Sequence, residues 1–292
     1  MSDLVELHDH PPLSTPVLVV ALEGWIDAGS AGAGAATSLI DAMDTELVAG
    51  FDTDLLLDHR ARRPVMALVE GHMTQLTWPS IELRATVDGD GNHLLLLVGA
   101  EPDHMWGRFS KAVCDLVLDL DVRMVVGLGA YPAPVPHTRD TRLALTSPSG
   151  ALVESFTGFF RGTVDVPAGV QAAIEVQTHE AGIDSLGLWA QVPHYISGMP
   201  YPAGSLALVD GLSRVAALNL PTVGLAEEAA STRFRLDEMV SGNAQHEEMI
   251  RQLEEAADSA PSGDALGELG GPLPTGDELA AEFQQFLREQ GD

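Results

Sequence analysis

The chain of 292 residues is poor in cysteine and in positive charge. Its single cysteine, Cys114, excludes an internal disulfide and a structural zinc site built on thiolates. Fifteen basic residues stand against 43 acidic ones, for a net charge of −28. Such a surface repels phosphates, so neither nucleic acid nor an anionic membrane is expected as a partner. Long apolar runs are also missing. Those at 16–22 and 94–98 are far too short to span a bilayer. The first ten residues are acidic and lack the apolar core of a secretory signal. A cytoplasmic protein is expected. With 45% hydrophobic residues the chain can bury a core, and its length suits one large α/β domain, alone or with an appendage.

Val17-Leu-Val-Val-Ala-Leu22 is apolar and rich in β-branched residues. It reads as a strand covered on both faces, as in a parallel sheet. A glycine- and alanine-rich segment follows from Gly24 to Ala36, read as a loop and then a helix capped by Asp27 or Ser30. A second strand is expected near 47–51. Short runs at 65–69, 75–78, 81–87 and 93–98, separated by turn residues, predict antiparallel hairpins, with the last run returning to the central sheet. Helical spacing predicts helices over 103–119, holding a buried Cys114, and over 168–179 and 205–217. Strands are expected at 123–129, 143–145 and 185–191, with an ordered loop over most of 130–150. This alternation predicts a three-layer α/β/α domain over 14–257 with a hairpin-rich insertion. Residues 1–13 are expected as a flexible terminus. From Ala226 onward, sixteen acidic residues face four basic ones. A charged helix at 234–257, a Gly/Pro/Ser linker at 258–275 and a short amphipathic helix within 276–292 are expected there as an acidic helical extension.

Two loops concentrate candidate chemistry. The first holds Gly24, Asp27, Gly29 and Ser30. It follows a buried strand, where a helix N-terminus could hold an anion. Yet its glycines do not match dinucleotide spacing, no P-loop lysine follows, and Asp27 adds negative charge. Tight helix–sheet packing with a cap is the other reading. The second runs through Tyr131, His137, Arg139 and Arg142. His137 could act as acid or base and Arg139 could clamp a carboxylate. Alternatively the arginines pair with the chain's own carboxylates and the prolines stiffen a subunit contact. His194, beside Tyr195, follows another strand and suggests an aromatic-walled cleft or an interface. Glu227 and Glu228 read either as a carboxylate pair at a strand end or as an exposed helix start. No Ser–His–acid triad, metal-ligand cluster or cofactor motif emerges, so no catalytic residue, metal or cofactor is assigned.

Taken in order, Gly24-Trp-Ile-Asp-Ala-Gly-Ser-Ala31, Gly99-Ala-Glu-Pro-Asp103, Gly127 to Arg139 and Pro193-His-Tyr-Ile196 resemble the proteasome-assembly-chaperone-2-like family, in its actinobacterial branch. The resemblance covers about residues 14–257. It implies a phosphorylase/hydrolase-like fold, cytoplasmic location, self-association as a trimer, and a chaperone or scaffold role with no established catalytic residues. Archaeal relatives that bind the proteasome carry a hydrophobic–Tyr–X tail. This chain ends Arg288-Glu-Gln-Gly-Asp292, so docking by that route is not expected. A non-catalytic homo-oligomer that binds other proteins is therefore the expectation. The alternative is a phosphorylase-, hydrolase- or ligase-type enzyme acting on a small anionic metabolite, with His137, Arg139 and Asp27 in one pocket.

Overall fold

Residues 17–20 are buried on both sides, and so are residues 94–97. Such runs can only lie inside a sheet covered on both faces. The computed structural model describes residues 3–259 apart from Trp25. Its strands are β1 (Val5–Leu7), β2 (Val17–Glu23), β3 (Glu46–Phe51), β4 (Val65–Val69), β5 (His72–Thr77), β6 (Ile81–Val87), β7 (His93–Ala100), β8 (Met124–Ala133), β9 (Leu143–Thr146) and β10 (Asp184–Pro193). Its helices are α1 (Ala31–Ala42), α2 (Thr53–Leu56), α3 (Trp106–Asp119), α4 (Gly150–Ser155), α5 (Val170–Glu180), α6 (Pro202–Ala216), α7 (Val223–Val240) and α8 (Ala244–Ser259).

Eight strands form one mixed sheet in the order β1-β3-β6-β7-β2-β8-β10-β9. The four central strands, β7, β2, β8 and β10, are mutually parallel. Antiparallel strands close both flanks. Alternate residues of β2 feed two separate cores. Val17, Val19 and Ala21 join Ala31, Ala35, Leu39, Leu208 and Leu212 of α1 and α6. Leu18 and Val20 join Phe109, Val113, Val117 and Ile174 of α3 and α5. The chain is thus a mixed α/β fold with helices on both faces of a large sheet.

Small residues set the spacing of the first layer. Ser205 Oγ donates to the Ala31 carbonyl at 2.9 Å, and a Cβ on Gly34 would lie 2.6 Å from that hydroxyl oxygen. Cys114 is buried in α3 facing α5, where its Sγ lies 3.7 Å from the Gln177 carbonyl.

Several expectations need correction. Residues 5–7 are not loose: they pair with β3, and Leu4 beside them is fully buried. Residues 130–133, expected as loop, extend β8, because parallel pairing with β10 continues to Ala133. Tyr131 is therefore a strand residue. The expected single helix at 234–257 is two helices, α7 and α8, broken at Ser241-Gly-Asn243. Val223–Leu225 begins α7 rather than ending a strand, so Glu227 and Glu228 are exposed helix residues. Residues 258 and 259 close α8 instead of opening the linker; the remaining expected linker and the last helix lie outside the described residues.

Gly99, the last but one residue of β7, has φ +111°, and a Cβ there would lie 2.0 Å from the backbone oxygen of Ser80. Backbone cannot yield as a side-chain tip can. Gly99→Ala is expected to lower stability by about 2–4 kcal/mol, read as a shifted urea midpoint with unchanged slope.

Candidate functional site

β2, β8 and β10 are parallel, so the loops that leave them meet at one edge of the sheet, the edge where open α/β sheets hold ligands. After β2, Asp27 bridges to Ala130 of β8. A single turn at Ala28–Ser30 follows, with Gly29 and Ser30 at φ 63° and 47°. That left-handed kink turns the start of α1 toward Asp27. Its Oδ1 accepts from the Gly32 N–H at 2.8 Å and its Oδ2 from the Ala33 N–H at 3.0 Å. Asp27 is thus the cap, whereas the Ser30 side chain makes no capping bond. Burial pushes the Asp27 pKa up, and the N–H groups of Ala33, Gly32 and Ala31 oppose that shift.

Gly24 leaves room for Glu101: a Cβ there would lie 2.6 Å from Glu101 Oε2. Glu101 Oε1 accepts from the N–H of Val170, the first residue of α5, at 2.7 Å. The N-termini of α1 and α5 are therefore occupied by the chain's own carboxylates, where a phosphate would otherwise sit.

The loop after β8 binds α7 and α8. The His137 side chain is 1% exposed. Its Nε2 lies 3.2 Å from Asp237 Oδ1 on α7, and its Nδ1 lies 2.7 Å from the Tyr195 hydroxyl. A carboxylate only accepts, so Nε2 carries the proton and Nδ1 accepts from Tyr195. The same phenol oxygen accepts the backbone N–H of His137 at 2.8 Å. The result is a directed chain from backbone through Tyr195 and His137 to Asp237. Burial holds the His137 pKa below its ordinary 6.5, while Asp237 pulls it upward.

Arg139 grips α8. Its Nε and NH2 donate to the two Asp258 oxygens at 2.8 Å each, and NH1 donates to Glu254 Oε1 at 2.9 Å. Those carboxylates hold its guanidinium pKa above the ordinary value, the Asp258 bond foremost. Arg142 donates to the Ala257 carbonyl at 3.0 Å, and Arg233 of α7 donates to the Thr138 carbonyl at 3.0 Å. Beneath lies a cavity of about 20 Å³ lined by Arg139, Thr141, Arg142, Gln191 and Tyr201. It holds roughly one water. Tyr131 reaches this wall through Gln191, whose Nε2 donates to the phenol at 2.9 Å.

The expected residues thus fall into separate settings. Arg139 and Arg142 share the cavity wall. Gly29 backs onto Tyr201, whose Cβ would be 2.7 Å from a Cβ at Gly29. Asp27 and His137 do not line the cavity, so the three residues proposed for a catalytic pocket are not gathered in it. His194 is exposed and stacks edge-on against Tyr195 at 5.4 Å. Sequence reasoning missed Asp237, Glu254 and Asp258 as partners. Their only signal was membership of an acidic helical stretch.

The PAC2 family model matches residues 21–240. The chain belongs to the PAC2 family. A protein of unknown function from Mycobacterium tuberculosis shares 38% identity over 88% of this chain and 90% of its own, with a TM-score of 0.82. One of unknown function from Corynebacterium glutamicum shares 34% over 88% and 97%, with a TM-score of 0.83. A proteasome-assembly chaperone homologue of M. tuberculosis shares 28% over 80% and 99%, with a TM-score of 0.73. No curated protein matches the chain.

A second polar cluster in this PAC2 chain lies under α5. Glu175 is buried and accepts from Gln171 Nε2 at 2.9 Å. Gly127 and Gly187 leave the space for it, since a Cβ on either would strike Gln171 or Glu175. Burial raises the Glu175 pKa from 4.5 to about 7. A carboxyl with a raised folded pKa favours the fold fully below 4.5, and that contribution is lost as pH rises through about 7. Glu175→Gln is expected to abolish this loss, on the order of a few kcal/mol, in melts taken from pH 4.5 to 8. His137 acts in the opposite sense. Its contribution is present above 6.5 and lost as pH falls toward its lowered folded value. Asp237→Asn is expected to move the His137 titration midpoint lower still, read by NMR of the ring Cε1–H.

Proposed function

We propose that this protein is a non-catalytic, cytoplasmic chaperone or scaffold that self-associates, as a trimer, and binds other proteins. One observation carries the reading. The β4–β5 hairpin stands apart from the main sheet, and every residue of both strands is exposed. Val65 is 71% exposed, Leu68 58%, Val69 57% and Met73 64%. Trp78 at its base, 52% exposed, meets His59 edge-on at 4.9 Å. A lone two-stranded hairpin is marginal in water. An apolar patch of this kind marks a protein contact, and each Val or Leu covered would contribute about 1.5–3 kcal/mol. Three copies of the patch can meet about a three-fold axis, which suits a closed trimer.

The match to a proteasome-assembly chaperone homologue supports a protein-directed role. Helices on both sheet faces support a three-layer, phosphorylase/hydrolase-like arrangement, with α7 and α8 as an acidic helical extension of a domain spanning 14–257. Among the described residues no helix is long and apolar enough to cross a membrane. The binding residues of this reading are those that face the two loops: Gly24, Asp27, Gly29, Ser30, Tyr131, His137, Arg139, Arg142 and His194. The enzyme alternative draws less support, because Asp27 and Glu101 already hold the N–H groups that a phosphate at the start of α1 or α5 would need.

The double substitution Leu68→Glu with Val69→Lys is expected to reduce the sedimenting mass to that of one chain while leaving the thermal melt of the sheet unchanged. A wild-type chain that sediments at the mass of one chain at micromolar concentration would contradict the proposal.

A further inference from the structure

α8 is a 16-residue helix with one buried residue, Ile250. Met249, Leu253 and Ala257 on the same face are only half-buried. Its C-terminal half is held to the rest of the chain by charge. Arg139 takes Asp258 in a two-pronged grip and Glu254 with its third nitrogen, Thr138 Oγ1 also donates to Glu254, and Arg142 takes the Ala257 carbonyl. Glu254 and Asp258 stand four residues apart, so they project one turn from each other along one face. The Arg139–Asp258 pair is open to solvent, with side chains 41% and 58% exposed. Exposed pairs of this kind hold weakly and are screened by salt. The loop that supplies the arginines is stiff by contrast. It carries Pro132, Pro134 and Pro136, and His137 within it is buried and bonded on both ring nitrogens. A rigid receptor therefore faces a loosely held occupant. Beneath that occupant, Thr141 and Tyr201 line the small cavity.

We propose that the loop bearing Arg139 and Arg142 is a docking site for an acidic helix that presents two carboxylates one turn apart, and that α8 fills it in cis. The inference rests on the protein-binding reading above and names the chemistry of the partner. Recognition needs a planar guanidinium that can take one carboxylate with two parallel bonds and a second with its remaining nitrogen. A lysine could not do both. The cis helix competes at the high effective concentration of a tethered ligand, so a partner helix engages only in the fraction of time that α8 is away.

The test uses the full-length chain and a fluorescent peptide with the sequence of residues 244–259, read by polarisation. Glu254→Gln with Asp258→Asn weakens the cis occupant at exposed positions, so the fold is kept. This variant is expected to bind the peptide at least about tenfold more tightly than the wild type. Adding Arg139→Ala to it is expected to remove that gain, and raising salt to about 0.5 M is expected to weaken binding. Equal binding by the wild type and the double variant overturns the proposal. So does undiminished binding after Arg139→Ala. Sedimentation of the same variants keeps the two readings apart. A full oligomer that ignores the peptide overturns only this proposal, whereas a chain that is monomeric throughout overturns the self-association beneath it.

Discussion

An acidic chain must settle its own carboxylates, and this fold does so by placing them wherever positive potential arises. Peptide dipoles concentrate partial positive charge at helix N-termini. At the carboxyl edge of the central strands, α1 receives Asp27 and α5 receives Glu101. The scarce arginines attract the rest. Arg139 takes Asp258 and Glu254, and the His137 ring takes Asp237. With net charge −28 these pairings relieve part of the chain's self-repulsion. They also decide what the edge can do. At the starts of α1 and α5, positions that other α/β proteins use for phosphate are closed here from within.

The same pairings explain why the edge is shaped as a clasp. The tight stacking of α1 on α6 needs Ala31, Gly34, Gly204 and Ser205. That packing places Gly29 beside Tyr201, and Tyr201 in turn walls the small cavity beside Arg139 and Arg142. On the other side, continuation of β8 to Ala133 carries the proline loop out along β10, so His137 lands on Tyr195 just beyond that strand. The C-terminal helices are gathered by this loop, which the two central strands position.

Much of the fold was legible in the sequence because burial on both faces leaves an unmistakable mark. The run at 17–22 reads as a buried parallel strand and the run at 93–98 as a return to the central sheet, and Cys114 could be read as a small buried hydrophobe because its helical neighbours Val113 and Val117 were apolar. Edges were harder. β1 is three residues long, and its pairing with β3 has no local signature. Tyr131 looked like loop because Pro132 and Pro134 follow it, yet parallel pairing with β10 overrides that local chemistry. The clasp was least legible. His137 and Arg139 stood out as unusual residues in an acidic chain, but their partners lie 58 to 119 residues away. Nothing local distinguishes Asp237 or Asp258 from the other acidic residues of their helices.

The two peripheral elements are weakly held for opposite reasons, and that difference bears on function. The β4–β5 hairpin exposes apolar side chains, whose attraction for a partner strengthens with excluded salts and is blind to charge. α8 is fastened by exposed carboxylate–guanidinium pairs, which salt loosens. Local opening is least costly where few apolar contacts are lost, and α8, with Ile250 its one buried residue, meets that condition far better than the helices α1, α3 and α6 packed on the sheet. Ionic strength therefore acts on the two surfaces in opposite directions. Under the proposed reading, self-association through the hairpin can persist while the arginine loop is uncovered, so that holding copies together and receiving an acidic partner are separable properties.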